Sequence, residues 1–490
     1  MRSRFTNAII LPFLIALGYC SAHAQAPVYE TFDVDSVAAP LGGPSMLETF
    51  LNANVQKPFM AQVANVTGKV YVKAVVEPNG RISDVQLVRG FRPDCNQEAL
   101  RAMRLFNAWK PAMKAGKPVR QSITYPVTFR ATAPIRYENG VLIEQFDAKF
   151  NPINTIQQAA KPAYQQHTPI DTLTGLPNGD LTLFEIKGSG TLKEVARIPL
   201  AKVANTQQQI DEPTFRFGHK GPTTDWVGTV YTLSEDGSVR QRASADMMKG
   251  PSVTYDKRGM VKSIDRPDEA GSTTTWQPNG LLLSIKTKYE GERKELYKHT
   301  QLMAAWDSTG HQPIKDGNGH YRYVSKEKSR GDSTQKTTFI EEGDYKDGFK
   351  NGQWTGRFAD GSYSYTEQYN VGEDLGGTAT LPGGKTISYK SAMSHPTYVG
   401  GQPAMYRFLG QTIRYPVDAQ KKNVSGKVYI SFVVCTDGSL CDYDVLKGLY
   451  PSVDNEALRT VKKMPNWEPG LLRGEAVRVR YNLPVSFQLE

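Results

Sequence analysis

The chain has 490 residues, of which 39% are hydrophobic and 10% aromatic, and its formal net charge is +10. This composition can build several folded cores and excludes a largely disordered chain. The basic residues are scattered, which argues against nucleic-acid binding, and the length is typical of about three domains.

The N-terminus has the pattern of a secretory signal peptide over residues 1–24. Arg2 and Arg4 precede an apolar stretch at 8–17, and Ala22 and Ala24 offer a cleavage site. The apolar stretch is shorter than a membrane-spanning helix requires. We therefore predict an exported protein with a cleavable signal peptide. Residues 25–41 have no periodicity and predict a flexible leader.

The remainder of the chain contains an internal repeat. Residues 42–129 align without a gap with residues 400–487, and 31 of the 88 positions are identical. Two copies so far apart indicate two domains of one fold and not a solenoid. We place these domains at 42–133 and 393–490.

Each copy has the same order of predicted elements: a lead-in helix (45–54 in the first copy), a strand (70–76), a turn at Pro78-Asn79-Gly80, a strand (82–88), a helix after Asp94 and a closing strand (119–129). This order predicts an α+β fold class. Each domain is expected to have an antiparallel three-stranded sheet with helices on one face.

The central residues, 134–392, are rich in Gly, Asn, Asp and aromatic residues. Turns that contain glycine recur between short stretches favouring strands, at 138–140, 235–237, 257–259, 278–280, 316–319, 346–348 and 359–361. This pattern predicts successive β-hairpins in a β-rich region over 134–340 and again over 341–392.

The sequence contains no recognisable catalytic or metal-binding motif. The histidines after the signal peptide fall at no metal-ligand spacing, and there is no H-E-x-x-H motif, nucleophile elbow or phosphate-binding glycine loop. We expect no enzymatic activity, no cofactor and no metal. A hydrolase of envelope polymers stays as a minor alternative, because carboxylates that only folding brings together leave no sequence signal.

Three cysteines follow the signal peptide. Cys435 and Cys441 flank a turn at 436–439, and export favours a disulfide between them. Whether they face each other depends on the hairpin register, so a disulfide and two free thiols are both open. Cys95 lies on the apolar stripe of a helix and is expected to be a small buried residue and not a reactive thiol.

The closing strand of the second copy, Val477–Phe487, contains Pro484, and the first copy has Pro126 at the matching position. Proline within a sheet is confined to edges or bulges. An edge strand can accept an added strand from a partner. Proline also protects an edge against aggregation, and both roles are open for this strand.

The second copy resembles the C-terminal domain of the TonB family in the form common in Bacteroidetes. The resemblance rests on Tyr415-Pro416, Gly426-Lys427-Val428, Asp437-Gly438, Asn455-Glu456-Ala457-Leu458, Met464-Pro465-Asn466-Trp467-Glu468-Pro469-Gly470 and Leu483-Pro484-Val485-Ser486-Phe487. The first copy keeps the main Gly, Trp and Pro positions but has Lys57 where the family usually has Tyr. Residues 341–392 resemble MORN-type repeats.

The TonB resemblance implies a periplasmic protein that binds outer-membrane TonB-dependent receptors. It implies capture of the receptor's TonB box, a short extended segment, by strand addition, in support of energy-coupled transmembrane transport. Carried over by position, the partner-binding residues are Tyr415, Pro416, Val477, Val479, Tyr481, Leu483, Val485 and Phe487. Tyr415 has a second interpretation as a packing aromatic at a helix start.

The sequence departs from a TonB energy transducer at its N-terminus, where it predicts a cleavable signal and shows no Pro-rich spacer. The alternative function is therefore a non-enzymatic envelope scaffold whose TonB-like and MORN-like modules bind proteins or peptidoglycan. Partner binding by the first copy, peripheral association with the inner or outer membrane, and a homodimer are open at this point.

Overall fold

The computed structural model describes residues 26–153, 161–205, 212–221, 226–245, 250–267, 271–291 and 300–488. The predicted signal peptide at 1–24 lies outside these residues. Strands account for 49% of the residues and helices for 14%, so the chain is mainly β and the predicted α+β class is wrong. That prediction gave the two repeats too much weight, because the longer region between them contributes only strands in its described part.

The chain divides into two compact units. The first contains the described residues up to 144 together with 152–153 and 171–176, and the second contains the others. The first repeat lies in the first unit, and the second repeat lies in the second unit.

The first unit contains the helices and strands of the first repeat. Its elements are β1 Val28–Tyr29, a 3₁₀ turn Thr31–Asp33, β2 Ala39–Pro40, α1 Pro44–Asn54, α2 Phe59–Val63, β3 Gly68–Val76, β4 Ile82–Arg89, α3 Pro93–Leu105, β5 Trp109–Lys110, β6 Ala112–Lys114, β7 Lys117–Phe129 and β8 Arg136–Glu138. β9 Val141–Phe146 begins in this unit, and its last two residues belong to the second unit.

The sheet of the first repeat has five strands instead of the three predicted. Its order is β1-β7-β3-β4, and β6 also pairs with β7. The core is built from the buried faces of α1, α3 and β3, whose apolar side chains follow the helical and strand periods of the sequence: Met46, Leu47, Phe50, Leu51, Cys95, Ala99, Leu100, Met103, Val70, Val72, Ala74 and Val76.

The predicted flexible leader is instead attached to the first repeat. β1 pairs in parallel with β7, and β2 pairs with β5. The main-chain N–H of Asp35 donates to the Met113 carbonyl oxygen at 2.8 Å. These contacts join main-chain groups over very short strands, which explains why the apolar pattern of the sequence gave no signal for them.

The second unit continues with strands β10 to β27. They are β10 Tyr164–Pro169, β11 Leu181–Ile186, β12 Leu192–Ile198, β13 Leu200–Ala204, β14 Thr214–Lys220, β15 Trp226–Ser234, β16 Val239–Ser244, β17 Ser252–Tyr255, β18 Val261–Asp265, β19 Thr273–Trp276, β20 Leu282–Lys288, β21 Thr300–Ala305, β22 Gly319–Lys328, β23 Lys336–Lys346, β24 Phe349–Phe358, β25 Ser364–Asn370, β26 Glu373–Thr380 and β27 Thr386–Tyr389.

These strands pair with their neighbours in sequence. β13 to β21 form a nine-stranded sheet and β22 to β27 a six-stranded sheet, each in chain order. The predicted glycine turns at 138–140, 235–237, 257–259, 278–280, 346–348 and 359–361 each join two paired antiparallel strands. Local turn chemistry therefore located these hairpins correctly.

The second repeat forms the end of the second unit. Its elements are β28 Met393–Ser394, α4 Gly401–Thr412, α5 Val417–Lys421, β29 Gly426–Val434, β30 Leu440–Lys447, α6 Pro451–Val461, β31 Gly470–Leu472, β32 Glu475–Val477 and β33 Val479–Phe487. β29, β30 and β33 form a three-stranded antiparallel sheet in the order β30-β29-β33. Its buried side chains join those of α4 and α6 in one core.

The residues shared by the two copies have structural reasons. The Arg101 guanidinium donates hydrogen bonds to Glu98 and to the Asn54 carbonyl oxygen, and so connects α3 to the end of α1. Arg459 does the same for α6 and α4 through Glu456 and the Thr412 carbonyl oxygen. The repeated Glu-Ala-Leu-Arg sequence therefore encodes a helix-to-helix connection.

A second shared contact joins the hairpin turn to the residue before the closing strands. The Trp109 N–H donates to the Gly80 carbonyl oxygen at 3.0 Å, and the Trp467 N–H donates to Gly438 at 2.8 Å. Both glycines have positive φ, and a Cβ on either would overlap the tryptophan carbonyl. Glycine is required at both turns by conformation and by space.

Candidate functional site

The candidate site is the outer main-chain edge of β33, called here the β33 edge. β33 pairs with β29 along its full length, from Gly426 opposite Phe487 to Val434 opposite Val479. In the described part of the chain no strand pairs with the other side of β33. Its outward main-chain N–H and C=O groups are therefore available to an added strand.

The side chains of β33 alternate between the core and solvent. Leu483, Val485 and Phe487 are at most 2% exposed and belong to the core of the second repeat. These predicted partner-binding side chains cannot contact an added strand while the repeat is folded. Val479 and Tyr481 are half-buried on the same face, and the main-chain groups of these five residues face β29 and not the outer side of β33.

The solvent-facing residues of β33 are Arg480, Asn482, Pro484 and Ser486. Pro484 lies opposite Tyr429, and Pro126 lies opposite Tyr71 at the same register of the first repeat. Proline is tolerated in a strand where its nitrogen faces away from the ladder. Because main-chain groups alternate along a strand, residues 480, 482 and 486 then also direct their N–H and C=O groups outward.

The predicted continuous strand Val477–Phe487 is broken in the structure. Val477 ends β32, pairs with Gly470 and belongs to the small sheet β28-β31-β32. Val479 begins β33, and Arg478 lies between the two strands. Val477 is therefore not part of the β33 edge.

Tyr415 packs beside the end of β33, and Pro416 follows it at the start of α5. The Tyr415 hydroxyl donates to the Val424 carbonyl oxygen, and its ring meets Phe487 edge-on with centroids 5.6 Å apart. Pro416 precedes α5, and its carbonyl oxygen accepts from the Gln420 N–H at 3.0 Å. These contacts give Tyr415 the packing role that was its second interpretation, and contact with a partner remains a prediction.

Cys435 and Cys441 have free thiols in this structure, and we call them the hairpin thiols. A hydrogen bond with Cys435, together with burial and the nearby Asp442, raises the pKa of the Cys441 thiol. Arg478 donates to Asp442 at 2.7 Å and approaches the Cys441 sulfur at 3.5 Å. The register does place the two thiols together, and the disulfide itself stays a prediction.

Sequence reasoning missed the polar residues of the β33 edge. It selected the apolar half of the alternating pattern, which faces the core, and passed over Arg480 and Asn482, which face solvent. It also passed over Arg478. The available signal was the alternation itself, since an added strand meets main chain and solvent-facing side chains of an edge strand.

A metal-binding cluster and a membrane-spanning helix are both absent from the described residues. No group of three or more His, Cys, Asp and Glu side chains there could hold a metal ion. Across the same residues, no helix combines the length and apolar character needed to cross a membrane.

The second repeat is thus a helix-backed antiparallel sheet that ends in the edge strand β33, and the first repeat has the same arrangement with β1 added in parallel to part of β7. Residues 55–131 and 411–489 both match the family model described as Gram-negative bacterial TonB protein C-terminal. The chain therefore carries two TonB C-terminal domains, as predicted, over about a third of its length. Such domains interact with outer-membrane receptors or envelope proteins, and TonB-family proteins are envelope-associated. A comparison with curated proteins finds no match.

Proposed function

We propose that this is a periplasmic, non-enzymatic binding protein whose second repeat captures a segment of an outer-membrane TonB-dependent receptor. The segment adds as a strand to the β33 edge and so supports energy-coupled transport. The observation that carries the proposal is the outer side of β33, with which no described strand pairs, in a domain of the TonB C-terminal family. Main-chain hydrogen bonds to an edge strand supply affinity without a preformed pocket.

The charge near the β33 edge favours an acidic segment. Arg478 and Arg480 are both exposed, one just before β33 and one on its solvent face. Asp442 pairs with Arg478, but both side chains are more than half exposed, so the pair is weak and easily exchanged. Association is therefore expected to slow as salt concentration rises.

The sharpest test changes one outward N–H of the β33 edge. Asn482→Pro removes that donor, and its ring points away from the ladder with β29, so the repeat is expected to fold. Asn482→Ala keeps the donor and is the side-chain control. Thr124→Pro is the matched change in β7 of the first repeat, where Thr124 is exposed and occupies the position of Asn482.

The four proteins are tagged and crosslinked in intact cells, and captured partners are identified by mass spectrometry. Outer-membrane receptors are expected with the parent, Asn482→Ala and Thr124→Pro, and are expected to be lost with Asn482→Pro. Capture of receptors by a folded Asn482→Pro variant would show that strand addition at this edge is wrong. Recovery of wall components or lipoproteins in all four samples, without receptors, would favour the scaffold alternative.

Point variants are better than deletion of the second repeat. Arg473 in this repeat donates to Glu367, whose side chain is fully buried in the six-stranded sheet β22 to β27. Deletion would leave that carboxylate buried without its cation, which is strongly destabilising. Loss of partners after deletion would then report damage to the sheet as well as loss of the β33 edge.

A further inference from the structure

The outer edge of the first repeat is partly occupied by the chain's own leader. The strand that corresponds to β33 is β7, and β1 pairs with it in parallel, with Val28 opposite Arg120 and Tyr29 opposite Gln121. The matching positions of the second repeat are 478 and 479. In the described residues no strand pairs with their outer side.

Two buried polar side chains of β7 bind the leader. The Arg120 Nη1 donates to the Ala26 carbonyl oxygen at 3.0 Å. The Gln121 Oε1 accepts from the Ala38 N–H at 2.6 Å, and its Nε2 donates to the Thr31 hydroxyl at 3.4 Å. Gln121 is 1% exposed. Because buried amides require partners, the burial of Gln121 depends on the leader.

The second repeat lacks this leader-binding chemistry. Val479 stands at the position of Gln121 and can neither donate nor accept a side-chain hydrogen bond. Arg478 stands at the position of Arg120 and pairs with Asp442 as Arg120 does with Asp84, but Arg478 is exposed where Arg120 is buried. Glu77, whose carboxylate accepts a hydrogen bond from Arg120, is replaced by Cys435 in the second repeat. The first repeat therefore carries residues suited to its own leader.

The leader is held without burying much apolar surface. Val28 is 42% exposed and Phe32 is 86% exposed. The Glu30–Lys73 ion pair is half-exposed, and the Lys114 ammonium lies over the Tyr29 ring at 4.1 Å. Segments that are held by hydrogen bonds and bury little apolar surface open at low free-energy cost. The leader is thus built to be released more easily than the core strands.

We propose that residues 26–38 are an intramolecular strand ligand of the first repeat. They close the N-terminal end of the β7 edge, and a separate extended segment of the same chemistry takes their place when they are released. The ligand is an extended segment with a main-chain carbonyl oxygen that accepts a hydrogen bond from Arg120. The residues that follow this carbonyl form hydrogen bonds with the Gln121 side chain. This proposal concerns the first repeat alone and does not depend on what the β33 edge binds.

The test uses the full chain and a fluorescent synthetic peptide of residues 26–38. The double variant Val28→Pro, Tyr29→Pro breaks the pairing with β7 without touching the core. Phe32→Ala is the matched control, because its side chain lies in the leader but is almost fully exposed. Hydrogen exchange is measured over β1, β7 and β3, and peptide binding is measured by fluorescence anisotropy.

In the parent and in Phe32→Ala, exchange at residues 28–29 and 120–121 is expected to be protected. In the double variant, whose prolines at 28 and 29 have no amide hydrogen, exchange at 120–121 is expected to accelerate about tenfold or more while β3 stays protected, which shows an intact core. The peptide is expected to bind the double variant with a Kd at least about tenfold lower than the parent, because a tethered competitor acts at roughly millimolar effective concentration. It should restore protection at 120–121.

Two results would overturn the proposal. One is equal exchange at 120–121 in the parent and the double variant, which means that the leader does not pair there in solution. The other is a double variant with exposed 120–121 and protected β3 that fails to bind the peptide or to regain protection. In that case the leader is a covering segment and not a ligand.

Discussion

Arg473→Ala is expected to destabilise the six-stranded sheet β22 to β27, although Arg473 belongs to the second repeat. Arg473 lies in the turn between β31 and β32, and its Nε donates to Glu367 at 2.7 Å. Its guanidinium lies 3.5 Å from the centre of the Tyr365 ring. Burial alone would lower the pKa of Arg473, but the hydrogen bond to Glu367 raises it above its usual range.

The magnitude follows from the burial of the pair. The Glu367 side chain is 0% exposed and that of Arg473 is 18% exposed. Removing one partner of a buried ion pair costs about 3–5 kcal/mol. The hydroxyls of Tyr369 and Tyr389 still donate to the carboxylate, at 3.1 and 3.3 Å, which places the expected cost near the lower end, about 3 kcal/mol.

The assay is urea unfolding followed by tryptophan fluorescence, with hydrogen exchange to locate the change. At an m-value of roughly 2–3 kcal/mol per molar, the midpoint is expected to fall by about 1–1.5 M urea. Exchange should accelerate first in β25 and β27, which carry Glu367 and Tyr389. Arg478→Ala is the control, since its pair with Asp442 is exposed and worth roughly 0–1 kcal/mol.

A double-mutant cycle separates the ion pair from the packing of the arginine stem. Glu367→Gln removes the charge, and the double variant is expected to be less destabilised than the sum of the two single variants, by about 1–3 kcal/mol. If Arg473→Ala unfolds at the parent midpoint with unchanged exchange in β25, the pair does not stabilise the sheet and the reasoning is refuted.

Three further outcomes test other parts of the fold. Mild oxidation with diamide is expected to join the hairpin thiols within one chain, seen by intact mass after alkylation, whereas disulfide-linked dimers would contradict their placement. Burial raises the pKa of Cys95 to about 11, so folding favours the protonated thiol over the thiolate. The contribution of the buried thiol to folding stability is present below the unfolded pKa near 9 and is lost as pH rises through about 11. At pH 8 Cys95 should therefore react with iodoacetamide only after unfolding, and fast labelling of native protein would contradict its burial. Gly343→Ala places a Cβ against the buried Trp354 indole and is expected to cost about 1–3 kcal/mol in urea unfolding, whereas Gly188→Ala, with open space around it, should change stability by less than about 0.5 kcal/mol.

The repeats could be predicted from sequence because their signals are periodic or local. Apolar alternation located β3 and β29, and apolar spacing located α3 and α6. The turn glycines Gly80 and Gly438 were visible because only glycine satisfies both their positive φ and the close tryptophan carbonyl. These features depend on residues near one another in the chain.

The remaining features depend on contacts between distant segments. β1 pairs with β7 through main-chain groups more than 90 residues away, and a two-residue strand has no measurable period. The contact of Arg473 with Glu367 joins residues 106 positions apart. The break at Arg478 was missed because apolar alternation continues across it from Val477 to Val479.

The fold class was mispredicted for a different reason. The helices of the two repeats have clear apolar stripes and were given the weight of the whole chain, while the strands between the repeats were identified only as hairpins. Those hairpins pair side by side into sheets of nine and six strands. Sheet size is set by which edges meet, and turn chemistry alone does not encode that.

Pro484 has a consequence for how long a partner stays bound. A strand added to the β33 edge meets outward N–H groups at 480, 482 and 486, but the proline nitrogen between them offers none. The ladder is therefore interrupted, and the partner is held by two short runs of main-chain bonds. Affinity differences between related complexes reside mostly in dissociation rates. An interrupted ladder thus favours brief residence of an added strand and rapid exchange of one bound segment for another.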